Sequence, residues 1–170
     1  MQNGKPVNES VITMTEMIMP NDTNPIANLM GGNLLRWMDI AGGICAGKHS
    51  GAYVVTASVD YVSFKQPIRL GDVITITACV TRAFHTSMEI YIEVISASIK
   101  GDHVRKCNDA FFTFVAIDEN GSPIPVRPVI AQTDIEKERY QAAQKRRELR
   151  LLLSGRIQPS EATEIKSLFA

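Results

Sequence analysis

The chain has 170 residues, enough for one domain or one domain with an appendage. Eighteen Lys and Arg balance eighteen Asp and Glu, so no net field draws nucleic acid or an anionic membrane. A hydrophobic content of 45% supports an ordinary core. No apolar run reaches spanning length, and Cys45, Cys79 and Cys107 are too scattered for a disulfide or zinc framework.

Those cysteines read as reduced thiols, and the opening MQNGKPVNES lacks the charged-then-apolar layout of a signal peptide, so the cytoplasm is the expected location, without membrane insertion. Residues 1–15 are polar and predict a flexible N-terminus. Pro20 to Asn28 is turn-rich, with Asn21, Asp22, Thr23 and Asn24 able to bond local backbone.

From Gly32 to Lys48 the apolar positions Leu34, Trp37, Met38, Ala41, Ile44 and Cys45 follow helical spacing and form one stripe. Asp39 lies on its border, where a carboxylate must be paired, solvated or used. Eight positions earlier, Gly31 and Gly32 open the helix. Unpaired N–H groups and the helix dipole there favour an oxygen bearing negative charge. A carboxylate plus an oxyanion donor is the minimum equipment for attack on a carbonyl. Gly42 and Gly43 each weaken a helix by about 1 kcal/mol relative to alanine. Either a ligand or second backbone passes close to Asp39, or a strand packs tightly over the helix.

After His49-Ser50-Gly51 the period changes to two. Strands are predicted over Tyr53 to Phe64, Val73 to Thr81, Ser87 to Ile99 and His103 to Ile117, separated by turns at Leu70-Gly71-Asp72, Lys100-Gly101-Asp102 and Asp118 to Gly121. In the second, Ile74, Ile76, Ala78 and Val80 share a face; in the third, Met88, Ile90, Ile92 and Val94 do. One long helix followed by antiparallel strands indicates an α+β fold. Thr133 and Glu136 form a capping-box signature for a helix from Asp134 to Leu153, stopped by Gly155. A short helix is expected over Ser160 to Phe169. The basic run Lys145-Arg146-Arg147 with Arg150 reads as a solvated helical face. The domains expected are 1–15 flexible, 16–130 the main domain and 131–170 a C-terminal helical extension.

The ordered segments PNDTN, GG, LLRWMDIAGG, VDYVSFKQPIRLGDVI and TSMEIYIEV resemble the acyl-CoA thioesterases of the hotdog fold, over roughly Met17 to Val126. The likeness is to bacterial broad-range and mammalian cytosolic acyl-CoA hydrolases. The resemblance implies a long central helix wrapped by an antiparallel β-sheet and sites shared between two chains of a homodimer. Assembly as trimers of dimers is common in that family. It implies acyl-CoA as substrate, with CoA part of the substrate rather than a separate cofactor, no metal and no nucleic-acid partner. Asn24, Gly31 and Asp39 occupy the positions matching its catalytic pattern. Gly31, helped by Gly32, would polarise the thioester carbonyl; Asp39 would activate water or attack directly; Asn24 would orient the water or carboxylate, although by its neighbours alone it is a turn-former. Thr56 could bond the same site. Lys65, Arg82, Thr86 and Ser87 are candidates for the CoA phosphates and pantetheine.

Some members carry a histidine before the glycine pair, where this chain has Met30. His49, His85 and His103 have no spacing for a triad, and no Gly-x-Ser-x-Gly elbow is present. Two alternatives remain. Asp22-Thr23-Asn24-Pro25-Ile26 begins like the motif of hotdog enoyl-CoA hydratases, but Ala27 stands at its histidine. A non-catalytic acyl-CoA sensor is the other.

Geometry favours a composite site. Gly31 and Asp39 are about 12 Å apart along a helix at 1.5 Å per residue. A reacting carbonyl needs both groups near 3 Å, which antiparallel pairing of two such helices would supply.

Overall fold

The computed structural model describes residues 3–166 and divides into two compact units, Met1–Ile130 and Ala131–Ala170. The first holds one long helix, α1 (Gly31–Ser50), and five strands: β2 (Ile12–Met17), β3 (Tyr53–Asp60), β4 (Val73–Ala83), β5 (Ser87–Ala97) and β6 (Arg105–Ile117). A two-residue parallel pair, β1 (Lys5–Pro6) with β7 (Val129–Ile130), completes it. The five strands form one antiparallel sheet in the order β2-β4-β5-β6-β3, against which α1 packs. This is the hotdog arrangement.

Alternation explains the core. Ile74, Ile76, Ala78 and Val80 of β4 and Met88, Ile90, Ile92 and Val94 of β5 are all buried, joined by Phe112, Phe114 and Ala116 of β6. Leu34, Trp37, Met38, Ala41 and Cys45 supply the helix side. Ile44, expected on that stripe, is instead 49% exposed, and Gly42 takes its place. A Cβ at Gly42 would stand 2.9 Å from the Phe114 ring and 3.0 Å from Ile92, whereas at Gly43 the nearest atom is 3.7 Å away. Gly42 therefore serves the tight packing of helix on sheet; Gly43 does not. Gly51, at φ +71°, ends α1 in the left-handed conformation and donates to the Gly47 carbonyl at 2.8 Å.

The expectation of a flexible stretch over 1–15 is corrected for the described residues of that stretch, 3–15. Ile12 to Met17 pairs residue for residue with Ala78 to Val73 of β4, and its half-buried and exposed positions alternate. A row of ladder bonds orders a stretch whose composition alone looks loose. His49 locks the same region from below. Buried in α1, its Nε2 donates to the Arg127 carbonyl at 3.1 Å, while Nδ1 faces the Ser10 hydroxyl at 3.4 Å. β3 ends at Asp60 rather than Phe64, and residues 61–66 form a loop.

In the second unit α2 spans Asp134–Leu153, as its capping box requires. Thr133 Oγ1 accepts from the Glu136 amide at 3.2 Å, and Glu136 Oε2 accepts from the Thr133 amide at 3.1 Å. A short α3 (Thr163–Lys166) begins with the Glu164 and Ile165 amides donating to the Glu148 carboxylate at 2.9 and 3.1 Å. Of the helix expected over Ser160 to Phe169, Thr163–Lys166 is helical, residues 160–162 are not, and the last three positions lie outside the described residues.

Candidate active site

The predicted residues fall into two clusters on one chain. The first surrounds the start of α1. The loop before it folds on itself: Asn24 Oδ1 accepts from the Ile26 and Asn28 amides at 3.1 Å each, and the Asn24 amide donates to the Asn28 carbonyl at 2.8 Å. The loop is joined to the helix by the Met30 amide donating to the Asp22 carbonyl at 2.9 Å, and to residues 68–70 by the Leu29 and Leu70 amides. Asn24 is therefore the turn-former its neighbours suggest. Its oxygen is committed to backbone, which leaves the Nδ2 hydrogens as the side chain's remaining function.

At α1 itself the N-cap Met30 offers no side-chain acceptor. The Asn33 and Leu34 amides turn back to the Met30 carbonyl, but the Gly31 and Gly32 amides have no recorded acceptor among the described residues. These are two free donors at the positive end of a 20-residue helix. The Phe64 ring stands where a side chain at Gly31 would be, 2.9 Å from the Cβ position, whereas nothing lies within 4 Å of that position at Gly32. Beside them opens a hollow of about 500 Å³ lined by Asn28, Leu29, Gly31, Leu34, Phe64, Gln66, Pro67, Ile68 and Cys107.

The second cluster is Asp39 with Thr56. The Thr56 hydroxyl donates to Asp39 Oδ1 at 2.6 Å, a short charge-assisted bond between α1 and the edge strand β3. Opposite β6, Thr56 faces Phe114 and Ser58 faces Thr113, so Ala57 is a bulge residue beside Thr56, a device that re-aims neighbouring side chains. The bond fixes one carboxylate oxygen and leaves Oδ2 for other partners. Because α1 is unbroken from Gly31 to Ser50, Asp39 and the free amides stay about 12 Å apart along one helix. One chain does not bring them together.

The substrate-binding candidates do not converge either. The Lys65 amide bonds the Cys107 carbonyl and the Thr86 carbonyl accepts from Ala116, so Lys65 and Thr86 flank β6 nine residues apart, roughly 30 Å at 3.3 Å per residue. Ser87 belongs with Thr86, its carbonyl accepting from the Phe84 amide, and Arg82 stacks its guanidinium 5.6 Å from the Phe84 ring. Lys65 is already paired with Asp109 at 2.9 Å. Asp109 also meets Lys106 at 3.1 Å, and Lys106 reaches Glu93 and the Tyr91 hydroxyl at 3.0 Å each. Burial opposes ionisation of Asp109, but the bonds from Lys65 and Lys106 outweigh it and hold that carboxyl below its ordinary range.

Burial raises the Cys45 thiol to about 12 and pushes Cys107 up as well, so neither is an activated nucleophile. Trp37 and Met38 are core, and Phe64 lines the hollow. Gln66, Pro67, Ile68 and Cys107 carried no sequence signal for this place, since loop and strand meet only in the fold.

A family model described as the thioesterase superfamily matches residues 27–101. Protein VdlD of Helicobacter pylori is 35% identical over 82% of this chain and 79% of its own length. The acetyl-coenzyme A thioesterase of Mus musculus is 40% identical over 82% of this chain, which spans only 25% of that protein. Among solved structures, an apo-hexameric acyl-CoA thioesterase superposes with a TM-score of 0.85 at 37% identity, covering 88% of this chain and 96% of its own. The acyl-CoA hydrolase of Staphylococcus aureus, solved with butyryl-CoA, CoA and CoA disulfide, superposes with a TM-score of 0.83 at 32% identity, covering 99% of this chain and 100% of its own. That hydrolase has also been solved with alanine in place of an asparagine, an aspartate and a threonine, which follow one another 15 and 17 positions apart.

Proposed function

The chain belongs to the thioesterase superfamily, and from that premise we propose that it hydrolyses acyl-CoA to the free acid and CoA at a site shared between two subunits. One observation carries the reading. Each chain presents two half-sites that cannot meet within it: free amides at Gly31 and Gly32 with the Asn24 carboxamide, and Asp39 with Thr56 about 12 Å along the helix. A second copy, its α1 antiparallel to the first, closes both gaps at once and makes two sites per dimer. The spacing adds support: Asn24, Asp39 and Thr56 stand 15 and 17 positions apart, as do the residues replaced in the Staphylococcus aureus hydrolase.

The thioester oxygen accepts from the Gly31 and Gly32 amides, which lie where negative charge develops. Asp39 Oδ2 takes a proton from water as the water oxygen bonds to the carbonyl carbon, while Thr56 holds Oδ1. The tetrahedral intermediate collapses by breaking its C–S bond, and the sulfur leaves with the electron pair and takes up the proton that Asp39 had accepted, which restores the carboxylate. Direct attack by Asp39, through an anhydride that water then opens, uses the same groups. Asn24 Nδ2 donates to the water or the carboxylate. CoA leaves as product, and this chemistry calls for no further cofactor. Lys65, Arg82, Thr86 and Ser87 remain proposed contacts of the CoA moiety, which the partner's arrangement must gather.

A dimer fits the edge strand β3, whose outer positions expose Tyr53, Val55 and Val59 at 74%, 46% and 45%. Assembly of three dimers accords with the hexameric relative. A cytoplasmic site of action accords with three cysteines that are in no disulfide, and among the described residues no helix is long and apolar enough to cross a membrane. Against hydration stands Ala27, which has no group to handle a proton.

The test is release of free thiol from a panel of acyl-CoAs by the wild type and by Asp39→Asn. The expected result is turnover that falls at least ~10²-fold in the folded variant, within the range of lost acid–base catalysis. Enoyl-CoA consumed without thiol, or binding without turnover, would replace the hydrolase reading with a hydratase or a sensor.

A further inference from the structure

The hollow at the first turn of α1 is lined by Gly31, but the rest of its lining has no part in the chemistry assigned above. Leu29, Leu34, Pro67, Ile68 and Phe64 give it an apolar side, and Asn28 and the exposed Gln66 also line it. Lined by Gly31, it lies at the free amides that would hold a thioester oxygen. At roughly 30 Å³ per non-hydrogen atom, a water molecule's share of the liquid, 500 Å³ holds at most on the order of 15 atoms. That is much more than an acetyl group needs.

The wall bearing Phe64 is held in place. Asn108 Nδ2 donates to the Ser63 carbonyl at 2.9 Å, the Lys65 amide bonds the Cys107 carbonyl at 3.3 Å, and Lys65 Nζ pairs with Asp109 at 2.9 Å. These three bonds bracket Phe64 on both sides in sequence and tie its loop to the start of β6. The ring is 55% exposed, so it is not needed to fill the core. With its loop anchored on either side, the ring stands 2.9 Å from the Cβ position of Gly31, so whatever occupies the hollow beside the oxyanion donor meets it.

Resting on the hydrolase reading, we infer that this hollow receives the acyl chain and that Phe64 and Gln66 set how long a chain it accepts. The chain enters from the thioester carbon at Gly31 and runs along Leu34 and Ile68, while the pantetheine arm leaves the other way. Each methylene that leaves water for this wall tightens binding about fourfold, the equivalent of a buried CH₂. The gain stops when the hollow is full.

Binding of saturated S-alkyl-CoA thioethers, from two to sixteen carbons, tests this without any turnover, so it stands or falls apart from the hydrolase reading. Calorimetry on the wild-type protein is expected to give affinity that rises with chain length and then levels. Gln66→Trp, which puts a bulkier side chain on the exposed part of the lining, brings the plateau to a shorter chain and weakens the longest thioether at least tenfold, with CoA itself bound as before. Phe64→Ala moves the plateau to a longer chain. Circular dichroism and Tm confirm that both variants fold. Identical plateaus in all three proteins would overturn the assignment, and so would a Gln66→Trp variant that weakens CoA as much as its long thioethers, since the hollow would then hold the pantetheine arm.

Discussion

Replacing Thr56 by valine removes one hydroxyl and keeps a β-branched side chain suited to a strand. Thr56 Oγ1 lies 2.6 Å from Asp39 Oδ1, and that is the only bond recorded to this carboxylate among the described residues. A hydrogen bond to a charged group contributes ~1.5–3 kcal/mol. If that energy holds Oδ2 at the angle the reaction needs, its loss lowers kcat roughly 10- to 150-fold at 1.36 kcal/mol per decade. KM for acyl-CoA stays within about twofold, because the bond orients the acid and touches no substrate. Thr56→Ser, which restores the hydroxyl, recovers most of the rate. The assay is thiol release over a substrate titration, with Tm measured beside it. A Thr56→Val enzyme with wild-type kcat refutes the positioning role, and a lowered Tm at unchanged kcat makes Thr56 a purely structural tie.

The two glycines of α1 are predicted to behave oppositely. Gly42→Ala forces a methyl to 2.9 Å from Phe114 and lowers stability by ~1–2 kcal/mol net of helix propensity, whereas Gly43→Ala meets nothing closer than 3.7 Å and raises it by up to ~1 kcal/mol, both read by urea unfolding. Equal signs would contradict the packing account. For His49, burial lowers the pKa from the ordinary 6.5, so its contribution is complete above that value and drains away as pH falls toward the folded pKa. Unfolding at pH 7.5 and 5.5 is therefore expected to show the stability gap between wild type and His49→Gln narrowing in acid; a constant gap would mean that His49 does not titrate on unfolding.

What the sequence made legible was whatever a repeating period carries. The stripe from Leu34 to Cys45 and the alternations through Ile74–Val80 and Met88–Val94 mark faces that must be buried, and the helix and sheet follow from them. Ile44 shows the limit of that logic. Period alone admits it to the stripe, but the sheet approaches so closely that only Gly42 fits there, and Ile44 is left 49% exposed. β2 escaped notice because its ladder with β4 is a tertiary fact, and alternation of Met with Thr and Glu looks polar by composition. Of the site, the free amides and the odd carboxylate were visible as local violations: glycines opening a helix, and a charge at the edge of an apolar stripe. The sequence marks Thr56 as able to bond the same site, but its direct bond to Asp39 across 17 residues, like that of Lys65 to Asp109 across 44, is announced by nothing in one chain's spacing. Lys65 also has a partner that residue type does not show, Asp109 of β6 at 2.9 Å.

Mixing two inactive chains puts the shared site to its sharpest trial. Asn24→Ala damages the half-site at the glycine pair, and Asp39→Ala damages the half-site on the helix flank. In a heterodimer with two-fold symmetry, one site collects both lesions and the other collects none. Random reassortment makes about half the dimers mixed, each with one of two sites whole, so about a quarter of wild-type thiol release should return. Recovery near that level, from parents each below about 1% of wild type, is what the account predicts. Proven subunit exchange with no activity regained would contradict it.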